Sequence, residues 1–104
     1  MPAIYVGIIK WITDDPQPGG VACQLTNAYG TQHVFIGKQV YFTWVNFNQD
    51  SPYPQLGEIA CTIIDQQCDP NGRQIIIVDT KRPWDIASTN HEAQFAVLAE
   101  QLSE

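Results

Sequence analysis

The stretch 21–38 reads VACQLTNAYGTQHVFIGK, and its periodicity sets the fold class. Side chains alternate across a strand, so residues two apart share a face. Val21, Cys23 and Leu25 fall on one parity, inward, and Ala22, Gln24 and Thr26 on the other, the pattern of a half-buried strand. Asn27, Ala28, Tyr29 and Gly30 then supply turn chemistry, because Asn bonds to nearby backbone and Gly tolerates positive φ. Beyond the turn His33, Phe35 and Gly37 alternate with Gln32, Val34 and Ile36. Two alternating runs around one turn predict an antiparallel hairpin.

Upstream, residues 3–12 place Ile4, Val6 and Ile8 on one parity and Tyr5, Ile9 and Trp11 on the other, which predicts a strand covered on both faces or a long one bent at Gly7. Between 14 and 20, two Asp, two Pro and two Gly exclude regular structure and predict a loop. Downstream, residues 39–47 are the most aromatic stretch. Tyr41, Phe42, Trp44 and Phe47 are interleaved with Val40, Thr43 and Val45, which predicts a strand with two bulky faces, one of them in water. Residues 48–56 read as a loop, and 57–65 with 73–80 read as a second hairpin around Asp69, Pro70, Asn71 and Gly72. Four consecutive apolar residues, Ile75 to Val78, make its second strand a central one.

After the break at Pro83 and Trp84, residues 88–104 admit two structures. Thr89, Asn90, His91 and Glu92 fit a capping box, and Phe95, Leu98, Ala99 and Leu102 fall at helical spacing, which favours a helix on propensity. The alternative is a closing strand built on Phe95 and Val97 that hides a sheet edge. The expectation is one domain, 1–104, mainly β: an antiparallel, strongly bent sheet or small barrel of five or six strands, ending in a C-terminal helix or strand.

Composition narrows the function. Five Lys plus Arg against eleven Asp plus Glu leave a net charge of -6, which repels nucleic acid and anionic lipid. No apolar run reaches the roughly 18 residues of a spanning helix, and residues 1–10 lack a basic leader, so the expectation is a cytoplasmic protein with no membrane partner. Three cysteines, Cys23, Cys61 and Cys68, suit a reduced protein better than a disulfide framework. With His33 and His91 they form no close ligand pair, so no metal is expected.

Asp85, Ser88 and His91 recur at spacing three, and Cys61 with His33 is a second nucleophile and base pairing, yet capping and burial explain both sets. Asp14-Asp15 and Asp69 precede Pro rather than the regular ligand positions of a calcium loop, and Gly19-Gly20 lacks the Lys and helix of a phosphate cradle. Neither catalytic residues nor a cofactor is expected.

Pro18-Gly19-x-Val21-x-Cys23, Tyr29-Gly30, Phe35-x-x-Lys38 and Tyr53-Pro54-Gln55-x-Gly57-x-Ile59-Ala60-Cys61 resemble the pattern of a family of small bacterial proteins of about this length. Asp79-Thr80, Pro83-Trp84 and 86–89 fit it too. Gly20 stands where that family usually has an aromatic, and Ala22 and Gly37 where it has carboxylates. The resemblance implies a bacterial single-domain protein and carries no reaction.

The aromatic stretch remains. One strand turns only alternate residues inward, so part of Tyr41, Phe42, Trp44 and Phe47 faces something beyond the core. Aromatics on a lightly charged surface are what protein interfaces favour. The expected function is a non-enzymatic protein-binding module that uses Tyr41, Trp44, Phe47 and Tyr53 with Asp50 at the rim. In its most concrete form it is a bacterial immunity or inhibitor protein that occludes a basic toxin. The alternatives are a barrel that stacks single-stranded nucleic acid on Tyr41, Phe42 or Trp44, which needs a basic groove from Lys10, Lys38, Arg73, Lys81 and Arg82, and a structural or dimerisation module.

Overall fold

The computed structural model describes residues 1–13, 19–45 and 47–103. The expected loop at 14–20 lies mostly outside them. Among the described residues eight strands follow in order: β1 (Ala3–Thr13), β2 (Gly20–Thr26), β3 (Gln32–Lys38), β4 (Gln55–Ala60), β5 (Thr62–Cys68), β6 (Gln74–Asp79), β7 (Gln94–Leu98) and β8 (Leu102–Ser103). They form two antiparallel sheets, β3-β2-β1-β4 with β8 against the start of β1, and β5-β6-β7. Among the described residues the only helical turns are short 3-10 turns at Gln39–Tyr41 and Ala99–Gln101, and no helix is long and apolar enough to cross a membrane.

The first hairpin forms as its alternation predicts, with Cys23 opposite Phe35 and Leu25 opposite His33. Asn27 Oδ1 accepts from the Tyr29 and Thr31 amides, each at 2.9 Å, which closes the turn. The outward residues Gln24 and Thr26 are half-buried and exposed as expected, whereas Ala22, also outward, is buried. In its pairing with β2, β1 carries register shifts between Ile8 and Lys10 and between Trp11 and Thr13, irregularities of the kind that bend a strand. The sheet does not close into a barrel. The segment leaving β3 reaches β4 at Phe42 O, which accepts from the Glu58 amide at 2.8 Å.

Residues 57–65 are not one strand. Gly57 to Ala60 pair with β1, the Cys61 amide donates to Pro2 O, and Thr62 opens β5 in the other sheet. Burying Ile59 and Cys61 under the first sheet while β6 needs a partner splits the run at Cys61. The hairpin proper is β5-β6, around the predicted turn. Gly72 takes φ 82° there, and Asp69 Oδ1 accepts from the Asn71 and Arg73 amides. Arg73 Nε donates to Asp69 Oδ2 at 2.7 Å, and its Nη1 reaches Ala28 O, tying one hairpin turn to the other.

These bonds hold the Asp69 carboxyl below the ordinary carboxylate range, the hydrogen bond from the Arg73 side chain being the main cause. A depressed folded-state pKa stabilises above the unfolded value, about 4, and that stability is lost as pH falls through the folded value. Asp69→Asn keeps the turn acceptor but drops the charge. Its melting temperature is expected to be lower than wild type at neutral pH and to converge on it in acid below about pH 4, as followed by circular dichroism.

The C-terminal segment is a strand, not a helix. Phe95 and Val97, both buried, pair with Val78 and Ile76 of β6. Closing that edge over an apolar face outweighs helix propensities worth a few tenths of a kcal/mol per residue. The capping box does not form either: Ser88 Oγ, not Thr89, accepts from the Asn90 and Glu92 amides, and His91 sits at φ 64°. The aromatic stretch also departs from expectation, for residues 39–45 are a 3-10 turn and loop rather than a strand, and Phe47 lies in no strand either.

One apolar core joins the two sheets. Ile4, Ile8, Val21, Leu25 and Phe35 from the first meet Ile76, Val78, Phe95 and Val97 from the second, with Phe35 and Phe95 edge to face at 5.4 Å. Cys23 and Cys61 lie in it as predicted, and Ile63 packs partly against it. Burial pushes the Cys23 thiol up to about 12 and Cys61 up to about 11. Thiolate is then roughly a thousandth of Cys61 and less of Cys23 at pH 8, so exposed Cys68 should alkylate first by orders of magnitude. Mass-resolved iodoacetamide labelling checks this; fast reaction at Cys23 would show that the core opens.

Candidate interaction surface

The loop after β3 is organised by one residue. Gln39 is buried, and its amide donates to Gly19 O at 3.0 Å. Its side-chain Oε1 accepts from the Phe47 amide at 3.0 Å while Nε2 donates to Phe47 O at 3.4 Å. The carboxamide therefore pairs with backbone as a strand would and clamps the two ends of the intervening loop. Gln39 O accepts from the Phe42 and Thr43 amides, and Thr43 Oγ1 from the Val45 amide.

Phe42 turns into the core across Gly37, where a Cβ would lie 3.5 Å from its ring. At Gly57 a Cβ would sit 3.0 Å from both Phe42 O and Ile8, so a larger residue there would push the loop away from β4 by a few tenths of an ångström.

With Phe42 inside, its neighbours are driven out. Trp44 is 99% exposed, and Val40, Val45 and Tyr41 stand exposed beside it in sequence. Phe47 and Tyr53 are half-buried instead: they meet edge to face at 6.2 Å against the core, and Tyr53 Oη donates to Asn48 O at 2.7 Å. Asp50 is exposed in the 48–51 turn, its amide bonded to Asn48 Oδ1. The five predicted site residues thus lie on one connected loop, with Tyr41, Trp44 and Asp50 offered to solvent and Phe47 with Tyr53 bracing the base.

Two further exposed apolar residues belong to this side. Ile36, on the outer face of β3, and Trp84 line a groove of about 440 Å³ with Tyr41, Phe42 and Asp85. Strand alternation already sets Ile36 opposite Phe35, whereas Trp84 reads in sequence only as a break after Pro83. The turn carrying Trp84 is held by buried Thr80, whose Oγ1 donates to Ile86 O at 2.6 Å, and by the Asp85 amide, which donates to Lys81 O at 2.7 Å. A shallower depression of about 350 Å³ on the outer face of the first sheet, lined by Tyr5, Gln24, Pro54 and Leu56, holds no charged group.

The catalytic candidates are occupied elsewhere. Ser88 is buried in its turn, and Asp85 and His91 are exposed at positive φ. His33 contacts Glu92 through Nδ1 at 3.1 Å, Asn27 through Nε2 at 3.5 Å and the Phe95 ring at 4.9 Å. Among the described residues no group of three or more His, Cys, Asp or Glu side chains gathers to hold a metal ion. Comparison of the chain with protein-family models, with curated proteins and with solved structures finds no match.

Proposed function

We propose that the chain is a non-enzymatic binding module that docks a protein through the Trp44 loop, and most concretely an immunity or inhibitor protein that occludes a basic toxin. The observation that carries this reading is Trp44 itself, a fully exposed indole on a loop clamped at both ends by a buried glutamine. An exposed indole gains most from being covered, and a loop already held in shape loses little entropy when it docks. Val40, Tyr41 and Val45 extend the apolar area. No Lys or Arg occurs between 39 and 72, so the loop offers nothing to a phosphate backbone, and the net charge of -6 steers a basic protein toward it.

Asp50 stands at the rim. Asp50→Lys is expected to slow association several-fold at low salt and flatten its salt dependence while leaving dissociation nearly unchanged, as read by surface plasmon resonance with the partner captured from the native host. A change confined to dissociation would place Asp50 within the buried contact instead.

A further inference from the structure

The two sheets end in four outer strands, β3, β4, β5 and β7, and three of these carry a backbone bond to a passing segment. Val34 O on β3 accepts from the Thr89 amide, the Glu58 amide on β4 donates to Phe42 O, and Ala96 O on β7 accepts from the Ala28 amide, each at 2.8 Å. Among the described residues β5 has no such cover and pairs with β6 alone. Its residues are exposed except Ile63, which is half-buried. The Asp69 amide donates to Arg73 O across the hairpin turn, so by antiparallel alternation Asp65 and Gln67 turn their backbone groups toward β6, while Gln66 and Cys68 turn theirs away. The Gln66 amide accordingly donates to Asp65 Oδ1 at 2.8 Å, a side chain standing in for a strand. An open edge of this kind is a template for another strand.

Charge complementarity makes the same strand of a second copy fit it. In a two-fold antiparallel pairing the residue at the axis faces its own copy. Centring on Asp65 opposes two carboxylates, centring on Gln67 opposes Asp65 to Asp69, and centring on Cys68 sets Gln66 against Pro70, which has no amide. Centring on Gln66 instead sets each Asp65 against a Gln67, and within one chain Gln67 Nε2 already donates to Asp65 Oδ2 at 3.0 Å. We propose that β5 joins two copies of this chain about a two-fold axis at Gln66, making one continuous six-stranded sheet with Asp65 of each copy against Gln67 of the other. Asp65 is the one charged residue between 62 and 68, so the joint brings few like charges together although each copy carries -6. The bulge at Ile64 ends the regular ladder, so the joint is short and the dimer dissociates on dilution. The Trp44 loop takes no part in it, so either reading can fail alone.

Sedimentation velocity of the full chain from about 10 μM to 1 mM should show monomer passing into dimer, as a small interface gives. Added salt should strengthen the dimer by screening the two net charges, the opposite of its effect on a basic partner. Gln67→Glu opposes a carboxylate to each Asp65 and should weaken the dimer about 2- to 30-fold, and Gln67→Lys should strengthen it by a similar factor. Both substitutions are on an exposed position, and an unchanged urea midpoint confirms that the fold is kept. Trp44→Ala should leave the dimer as it is. With Cys68→Ser in place, Gln66→Cys should form an intermolecular disulfide under mild oxidation, because opposed residues of a hydrogen-bonded pair lie about 5.5 Å apart, within disulfide reach. Cys68 of the wild-type chain, about 13 Å from its copy in this register, should not. A chain that stays monomeric at about 1 mM leaves β5 to a foreign strand and overturns the proposal. A dimer indifferent to both Gln67 substitutions, one lost in Trp44→Ala, or one cross-linked through Cys68 and not through Gln66→Cys would overturn it as well.

Discussion

Phe35→Ala is expected to destabilise the fold by about 3 to 5 kcal/mol. Phe35 is fully buried, sits opposite Cys23 in the first hairpin, and meets Phe95 of the second sheet edge to face at 5.4 Å. Its ring is therefore one of the contacts that join the two sheets, and its loss leaves a void lined by residues of both. Because strands are held by backbone ladders, the sheets can collapse only partly into such a void, which places the cost in the upper range for core truncations. Domains of this size are stable by only about 5 to 15 kcal/mol, so the variant should be near the edge of folding. Urea denaturation should show a much lower midpoint with an unchanged slope. A loss under about 1 kcal/mol would mean that the sheets do not share this core.

Trp44→Ala should do the opposite. With 99% of the side chain in water there is almost no area to lose, so the urea midpoint should stay within about 0.5 kcal/mol of wild type. Affinity for the protein partner should fall by about 2 kcal/mol or more, close to 30-fold, as for a central aromatic anchor. Gln39→Ala separates presentation from contact: it leaves the indole intact but releases the Phe47 backbone, and it should cost both stability and affinity.

The parts of the fold legible in the sequence are those where local chemistry and tertiary demand agree. Val21, Cys23 and Leu25 alternate, Asn27 and Gly30 turn the chain, and Asp69 to Gly72 turn it again, so two hairpin turns and their core faces follow from periodicity. The misreadings share a cause, which is that a distant partner decided the outcome. The run 57–65 reads as one strand because nothing local marks Cys61 as the crossing between sheets; the signal is the Pro2 carbonyl, far away in sequence. The capping box at Thr89 lost to Ser88 because β6 needed Phe95 and Val97 on its free edge.

The aromatic run misleads for another reason. Its β propensity is high, yet Gln39, unremarkable among eleven glutamines, buries its carboxamide and folds the run into a loop. Composition identified Tyr41, Trp44, Phe47, Tyr53 and Asp50 as one neighbourhood, but only the clamp separates the exposed indole from the bracing pair Phe47 and Tyr53. Trp84 joins that side through a turn held by Thr80, a contact with no sequence period behind it.

That a basic protein covers Trp44 is tested most directly with fluorine-labelled tryptophan in the complex with the partner from the native host. The chain has three tryptophans, and the signal absent from Trp44→Ala identifies Trp44. Saturating partner should shift the Trp44 signal and abolish its sensitivity to replacing water by heavy water, with its half-saturation point moving up about 30-fold in Tyr41→Ala or less. A Trp44 signal that keeps its position and its solvent sensitivity in the saturated complex would contradict the account.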